Sequence, residues 1–220
     1  VRSFDHENIE RGTDFMIGQG VYFLHAHRFG HDDLSHAFRL LRWAEPFPGM
    51  RVLDVGSGIG SMAAAWKQFI PDLQFGCLNI NKYQLDMNPD WCDRILGDMQ
   101  DMPIKDASFD MAICCFSMGH AERGAESVIR EMARVVRPGG VVFIYDMQPE
   151  DEDFSKLAEL SYMLYPRDQV EAFAQSAGLW LDVYIEPTDR GSVAEKIPAV
   201  TEVFSGLKPA IWRFVRGTSS

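Results

Sequence analysis

One stretch limits the fold of this chain more than any other: "MRVLDVGSGIGSMAAAWKQFI", residues 50 to 70. A short apolar run ends in three alternating glycines, and small and apolar residues then recur at helical spacing. A strand that feeds a helix through a tight turn is the opening unit of a parallel sheet with crossover helices. Gly56, Gly58 and Gly60 let the backbone turn sharply and approach a ligand that a Cβ would keep away. A merely tight junction would need glycines too, so the turn alone leaves the ligand open.

The rest of the chain repeats this alternation. "LQFGCLNI", "DRILGD", "FDMAICCFS" and "GGVVFIYDM" read as further strands. "KYQLDMN" and "ERGAESVIREMARVVR" read as helices between them, the second closed by "PGG". Upstream, "LSHAFRLLRWAE" (34 to 45) is a helix stopped by "PFPG". Downstream come "FSKLAELSYML", a helix in "RDQVEAFAQSAG", and two late strands, "LWLDVYIEP" and "PAIWRFVRG", with 187 to 208 expected as a loop. The implied architecture is an α/β doubly wound sheet.

With 220 residues, 46% hydrophobic and 24% charged, the chain suits one domain with a full core. A net charge of -11 argues against nucleic acid, whose phosphates such a surface repels. No apolar run approaches the roughly 20 residues of a membrane span, and the polar opening "VRSFDHENIERG" has no signal-peptide character. A cytoplasmic location is therefore expected, with no membrane partner. Cys77, Cys92, Cys114 and Cys115 lack CxxC spacing and mostly fall in strands. They are expected as buried thiols, with neither disulfide nor metal.

Taken together, "LDVGSGIG", the absence of GxGxxG or a following GKS/GKT, and the late "VVRPGGVVFIYDM" resemble the class I S-adenosylmethionine-dependent methyltransferases. The resemblance implies a Rossmann-like fold with a seven-stranded sheet whose last strand is antiparallel, and S-adenosyl-L-methionine as cofactor. It places Asp54, Gly56, Ser57 and Gly58 at the amino-acid end of that cofactor. In "GDMQDMP", Gly97, Asp98 and Met99 fall near the adenine, with a turn role alone as the lesser alternative for Asp98. Where most such folds end the second strand in an acid, this chain has Asn79 and Asn81. "GCLNINKYQ" resembles the "GLNNN-x-YQ" stretch of sterol C-methyltransferases and the "GVTLS-x-x-Q" stretch of terpene methyltransferases, with Gln84 as the closing residue. An amide there would still bond ribose hydroxyls.

Two further segments resemble the same isoprenoid branch. "GTDFMIGQGVYFLHAHRF" (12 to 29) is similar to "TDF-x-x-YGWG-x-x-FHF", and "CCFSMGHAER" to "IEATCHAP", which sets His120 on that family's histidine. The family's glutamate falls on Phe116 and its "YGWG" aromatics on Ile17 and Gln19. The resemblance implies one domain over 1 to 220. A short N-terminal helical lid and a helix occupy 1 to 45, the cofactor core occupies 46 to 220, and an acceptor insert lies near 148 to 166.

Methyl transfer to an alkene leaves a carbocation, so such a site needs alignment, π faces and a base. Tyr22, Phe23, Phe29 and Phe116 are the aromatic candidates, and any one of them is equally a packing residue. Phe116 would also border the cofactor. The base is expected from His120 or Glu122, then Tyr22 or His25, with a structural role for His120 equally open. Acceptor contacts are expected from Tyr22, Phe23, His25, His27, Arg28, Phe116 and His120. The locally basic segment suggests an anionic acceptor, although a solvated helix face explains Arg39 and Arg42 as well. The expected reaction is C-methylation of a small isoprenoid, such as the short prenyl diphosphate isopentenyl diphosphate, with Mg2+ involved if a diphosphate is bound. O- or N-methylation of a small natural product, and a non-catalytic cofactor-binding subunit, stay open, as does a homodimer.

Overall fold

The apolar central strands find each other because none can bury both faces alone, whereas the two edge strands stay largely exposed. The computed structural model describes residues 6–18, 31–149, 163–186 and 207–218. The chain begins with helices α1 (His6–Gly18) and α2 (His31–Ala44), followed by strand β1 (Arg51–Val55), helix α3 (Ser61–Phe69) and strand β2 (Gln74–Asn79). Helix α4 (Lys82–Asp86), strand β3 (Asp93–Leu96) and strand β4 (Phe109–Cys115) come next. Helix α5 (Ala125–Val135), strand β5 (Val136–Pro149), helix α6 (Arg167–Ser176) and strands β6 (Leu179–Ile185) and β7 (Leu207–Arg216) complete the order.

The strands form one sheet in the order β3-β2-β1-β4-β5-β7-β6. Its first five members are parallel, and β7 is antiparallel to both β5 and β6. This bears out the seven-stranded Rossmann-like class and the antiparallel last strand. One face of the sheet is covered by α5 and α6, through Val128, Ile129, Met132, Val170 and Ala174. The other is covered by α2 and α3, through Leu40, Leu41, Ala63 and Trp66. Complete burial of Phe143, whose ring meets that of Trp66 edge-on, contributes about 1.5–3 kcal/mol.

Residues 137 to 140 depart from the expectation. The helix ends at Val135, and "RPGG" lies inside β5, where pairing slips between Phe109↔Val136 and Met111↔Val141. A Cβ on Gly140 would stand 2.5 Å from the Asp110 carbonyl oxygen, and Arg137 bonds the Asp110 carboxylate at 2.5 Å. The motif is an irregularity that carries β5 past β4, and such a bulge accommodates Pro and Gly inside an interior strand.

All four cysteines are free, and Cys77, Cys92 and Cys114 are buried. Burial pushes the Cys114 thiol up to about 12. No helix among the described residues is long and apolar enough to cross a membrane. Arg42 is exposed and lies over the Trp43 ring, which suits the solvated-face reading of that residue. The side chains of His31, His36 and Arg39 lie outside the described part.

Candidate functional site

The order β3-β2-β1-β4 reverses direction at β1, where the chain crosses to the other side of the first strand. In open α/β sheets the crevice at the carboxyl ends beside such a point is where ligands bind. Register brings the candidates together there. Val55 is level with Leu78 on one side and Cys114 on the other, and Asn79 is level with Leu96. The turn 56–60, the Asn79 strand end, the turn 97–99 and the segment 116–122 therefore share one edge.

The three glycines of the turn do different work. A Cβ on Gly56 would stand 2.5 Å from both Cβ and Oγ of Ser117, and one on Gly60 would stand 2.6 Å from Asn88 Oδ1 and 2.7 Å from Pro89 Cδ. These two are glycine because the protein itself comes close. At Gly58, where φ is +53°, an added Cβ meets no protein atom within 4 Å. Of the three, Gly58 is the one that faces open space.

Around it lie polar atoms without partners. Asp54 Oδ2, Ser57 Oγ and Ser61 Oγ are buried with no hydrogen bond among the described residues. Burial alone pushes the Asp54 carboxyl up to about 7. A buried acid and two hydroxyls beside an open backbone require a partner. The ammonium and carboxylate of S-adenosylmethionine's amino-acid end offer complementary groups, so the residues present fit this cofactor.

At the β2 end, Asn79 donates from Nδ2 to Gly58 O at 3.2 Å and to Gln84 Oε1 at 3.0 Å, and its Oδ1 accepts from Asn81 N at 2.9 Å. Asn81 has the non-helical backbone of an N-cap, and its Oδ1 accepts from Gln84 N at 2.9 Å. It is fully buried, and its Nδ2 lies 3.3 Å from His6 Nδ1. The two asparagines therefore differ: Asn81 caps α4, whereas Asn79 sits at the glycine turn. Gln84 spends both ends of its amide inside the protein, donating to Thr13 Oγ1 at 2.7 Å.

The turn after β3 is similarly built. A Cβ on Gly97 would meet Pro103 Cδ at 2.5 Å. Asp98 accepts from Gln100 N at 2.8 Å, an Asx turn, and its second oxygen stands 3.9 Å from Arg123. Met99 packs at the rim of the core.

Beyond β4, Phe116 has a left-handed backbone (φ +49°) and remains 41% exposed at the edge, its ring 4.5 Å from that of Tyr145. Such strain in a bulky residue is characteristic of binding edges. Ser117 anchors the turn by donating to Val55 O at 2.9 Å. His120 ends a short 3-10 turn (Met118–His120), and both it and Glu122 are exposed. Tyr22, Phe23, His25, His27, Arg28 and Phe29 lie outside the described residues, as do 150–162 of the acceptor insert and 187–206 of the expected loop. Among the described residues no group of three or more His, Cys, Asp or Glu side chains is placed to hold a metal ion.

Sequence reasoning missed Asn88, Ser117 and Thr13. Asn88 is buried and donates to Gly58 O at 2.8 Å and Gln84 O at 3.0 Å, which braces the turn from beneath. Its one signal was an amide closing an otherwise ordinary helical stretch.

Residues 53–144 match the family described as "Methyltransferase domain". The chain has the fold of a class I methyltransferase. Over 108 residues the chain is 35% identical to sterol 24-C-methyltransferase ERG6B of Gibberella zeae, covering 45% of this chain and 28% of that protein. A longer match, 32% identical over 183 residues, joins 74% of the chain to 64% of methyltransferase GfsG of Streptomyces halstedii. The chain thus spans less than a third of the first relative and under two thirds of the second. A solved structure of geranyl diphosphate methyltransferase with GPP and sinefungin superposes with a TM-score of 0.73. That match covers 84% of this chain and 77% of the other, and at 15% identity it speaks to the fold alone.

Proposed function

We propose that the chain transfers a methyl group from S-adenosylmethionine to an alkene carbon of a small isoprenoid. The observation that carries this reading is the β2 end, where a buried amide pair in "LNINKYQ" replaces the usual acid and is tied to the glycine turn. The likeness to a sterol 24-C-methyltransferase over part of the chain supports the same branch. When bound, the cofactor supplies an electrophilic methyl group on a sulfonium. Asp54 and the turn at Gly58 would hold its amino-acid end, Asn79 would accept from its ribose, and Asp98 would serve the adenine end.

Phe116 offers a π face to the cation that alkene methylation creates, and its exposed, strained position at the strand end suits that task. His120, or Glu122 beside it, takes the proton that is then lost. Replacing His120 with Ala is expected to lower kcat by about a hundredfold or more while affinity for S-adenosylhomocysteine stays near the parental value. Parallel losses in both quantities would assign His120 to structure instead.

The acceptor we propose is a short prenyl diphosphate such as isopentenyl diphosphate, with Mg2+ at the diphosphate. The support is the basic character of His25, His27 and Arg28 and the brevity of 148 to 166. Incubating a panel of prenyl diphosphates with cofactor labelled at the methyl carbon, followed by product NMR, tests it. The label should appear as a methyl group on carbon. The longer match to GfsG, whose name says only that it is a methyltransferase, is silent on the acceptor atom, and O- or N-methylation is the second reading. A label on oxygen or nitrogen would establish that reading and overturn ours.

A further inference from the structure

The orientation of the Asn79 amide is pinned by backbone groups. Its Nδ2 faces the Gly58 carbonyl oxygen and its Oδ1 faces the Asn81 N–H, so the two ends are not interchangeable. The second Nδ2 hydrogen goes to Gln84 Oε1. Gln84 must then present Nε2 on its far side, where Thr13 Oγ1 accepts it at 2.7 Å, and the Thr13 hydroxyl donates onward to Ile9 O at 2.7 Å. Every bond in this series runs one way, from the strand end through α4 into the backbone of α1. Thr13 is buried at 2% exposure, so water does not readily substitute for it.

With both amide hydrogens committed, Asn79 can offer a ligand only the remaining lone pair of Oδ1. A carboxylate at this place would present acceptors from both oxygens, but here the nitrogen is turned inward to Gly58. We propose that Thr13 is a positioning residue that acts through Gln84 to hold Asn79 as a one-sided acceptor, and that the site recognises a single donating hydroxyl of its ligand's sugar. The inference rests on the reading of this edge as the S-adenosylmethionine site. Without the Thr13 hydroxyl, Gln84 loses the acceptor that orients it. Its amide can then turn its nitrogen on Asn79 Nδ2, donor against donor.

Calorimetry with S-adenosylhomocysteine and its 2′-deoxy and 3′-deoxy analogues tests this. The unaltered protein should lose about tenfold in affinity for one deoxy analogue and little for the other, as one hydrogen bond requires. Thr13→Val should weaken the parent ligand about tenfold and flatten the contrast between the analogues, whereas Thr13→Ser should restore both. Tyr83→Phe is the control, because it removes the 2.6 Å bond to Asp14 that also ties α1 to α4 yet lies outside the series. It should leave the contrast intact. Equal weakening of all three ligands by Thr13→Val, or the same flattening by Tyr83→Phe, would overturn the proposal. So would an unaltered protein that binds the parent ligand and ignores both deoxy changes. An unaltered protein that binds none of the three defeats the cofactor reading itself, and the inference with it.

Discussion

Asp54→Asn is expected to stabilise the ligand-free protein at pH 8 and to weaken its binding of S-adenosylhomocysteine by about ten- to a hundredfold. Both effects come from one buried carboxyl, raised from 3.8 to about 7 by desolvation and left with Oδ2 unpartnered. Between those two values the folded chain keeps a proton that the unfolded chain releases. The contribution to stability is therefore full below about pH 3.8 and is lost as pH rises through about 7. At roughly 1.4 kcal/mol per pH unit over that interval, the loss amounts to a few kcal/mol at pH 8. An uncharged amide avoids it. The same charge is what a ligand ammonium would meet, and a charged hydrogen bond is worth about 1.5–3 kcal/mol. Affinity of the unaltered protein should accordingly rise as pH passes 7, and that of the variant should not. Urea denaturation at pH 5 and pH 8, with calorimetry at both, measures the two slopes; identical slopes for the two proteins would refute the assignment.

Gly56→Ala and Gly58→Ala should fail in opposite ways although they lie two residues apart. At Gly56 the new Cβ collides at 2.5 Å with Ser117, which cannot withdraw freely because its hydroxyl holds Val55 O. Overpacking and a left-handed backbone (φ +70°) together should cost about 3 kcal/mol or more. At Gly58 nothing stands within 4 Å, so the left-handed backbone alone acts and the cost in stability should be about 1–2 kcal/mol. Its loss should appear in binding, with affinity for S-adenosylhomocysteine reduced more than tenfold by the methyl group set in the ligand's path. Denaturation and calorimetry on the two variants separate the cases. Parental affinity in Gly58→Ala would mean that no ligand approaches the turn there.

These contrasts mark the boundary between what could be read and what could not. Strands β1, β2 and β4 were legible because each is a short apolar run bounded by turn residues, a property of neighbours in sequence. The "PGG" after α5 was misplaced because its use depends on Asp110, nearly thirty residues earlier, which Arg137 and Gly140 meet only once β4 and β5 are paired. Asp98 was legible as a turn residue or a ligand contact, and the Asx turn to Gln100 shows the first use without removing the second.

The sequence by itself determined the alternation of strands and helices, the glycine turn at the end of the first strand, and the asparagine pair that sets this chain apart from acid-ended relatives of its fold. Each is a local pattern, held by periodicity and backbone freedom within a few residues. Only the tertiary structure decided which glycine faces open space, which asparagine caps a helix and which meets the turn, and that Thr13 touches Gln84 at all. Those outcomes depend on side chains from Ser117, Asn88 and α1, brought into contact by burial across 30 to 70 residues of chain, and no spacing rule reaches that far.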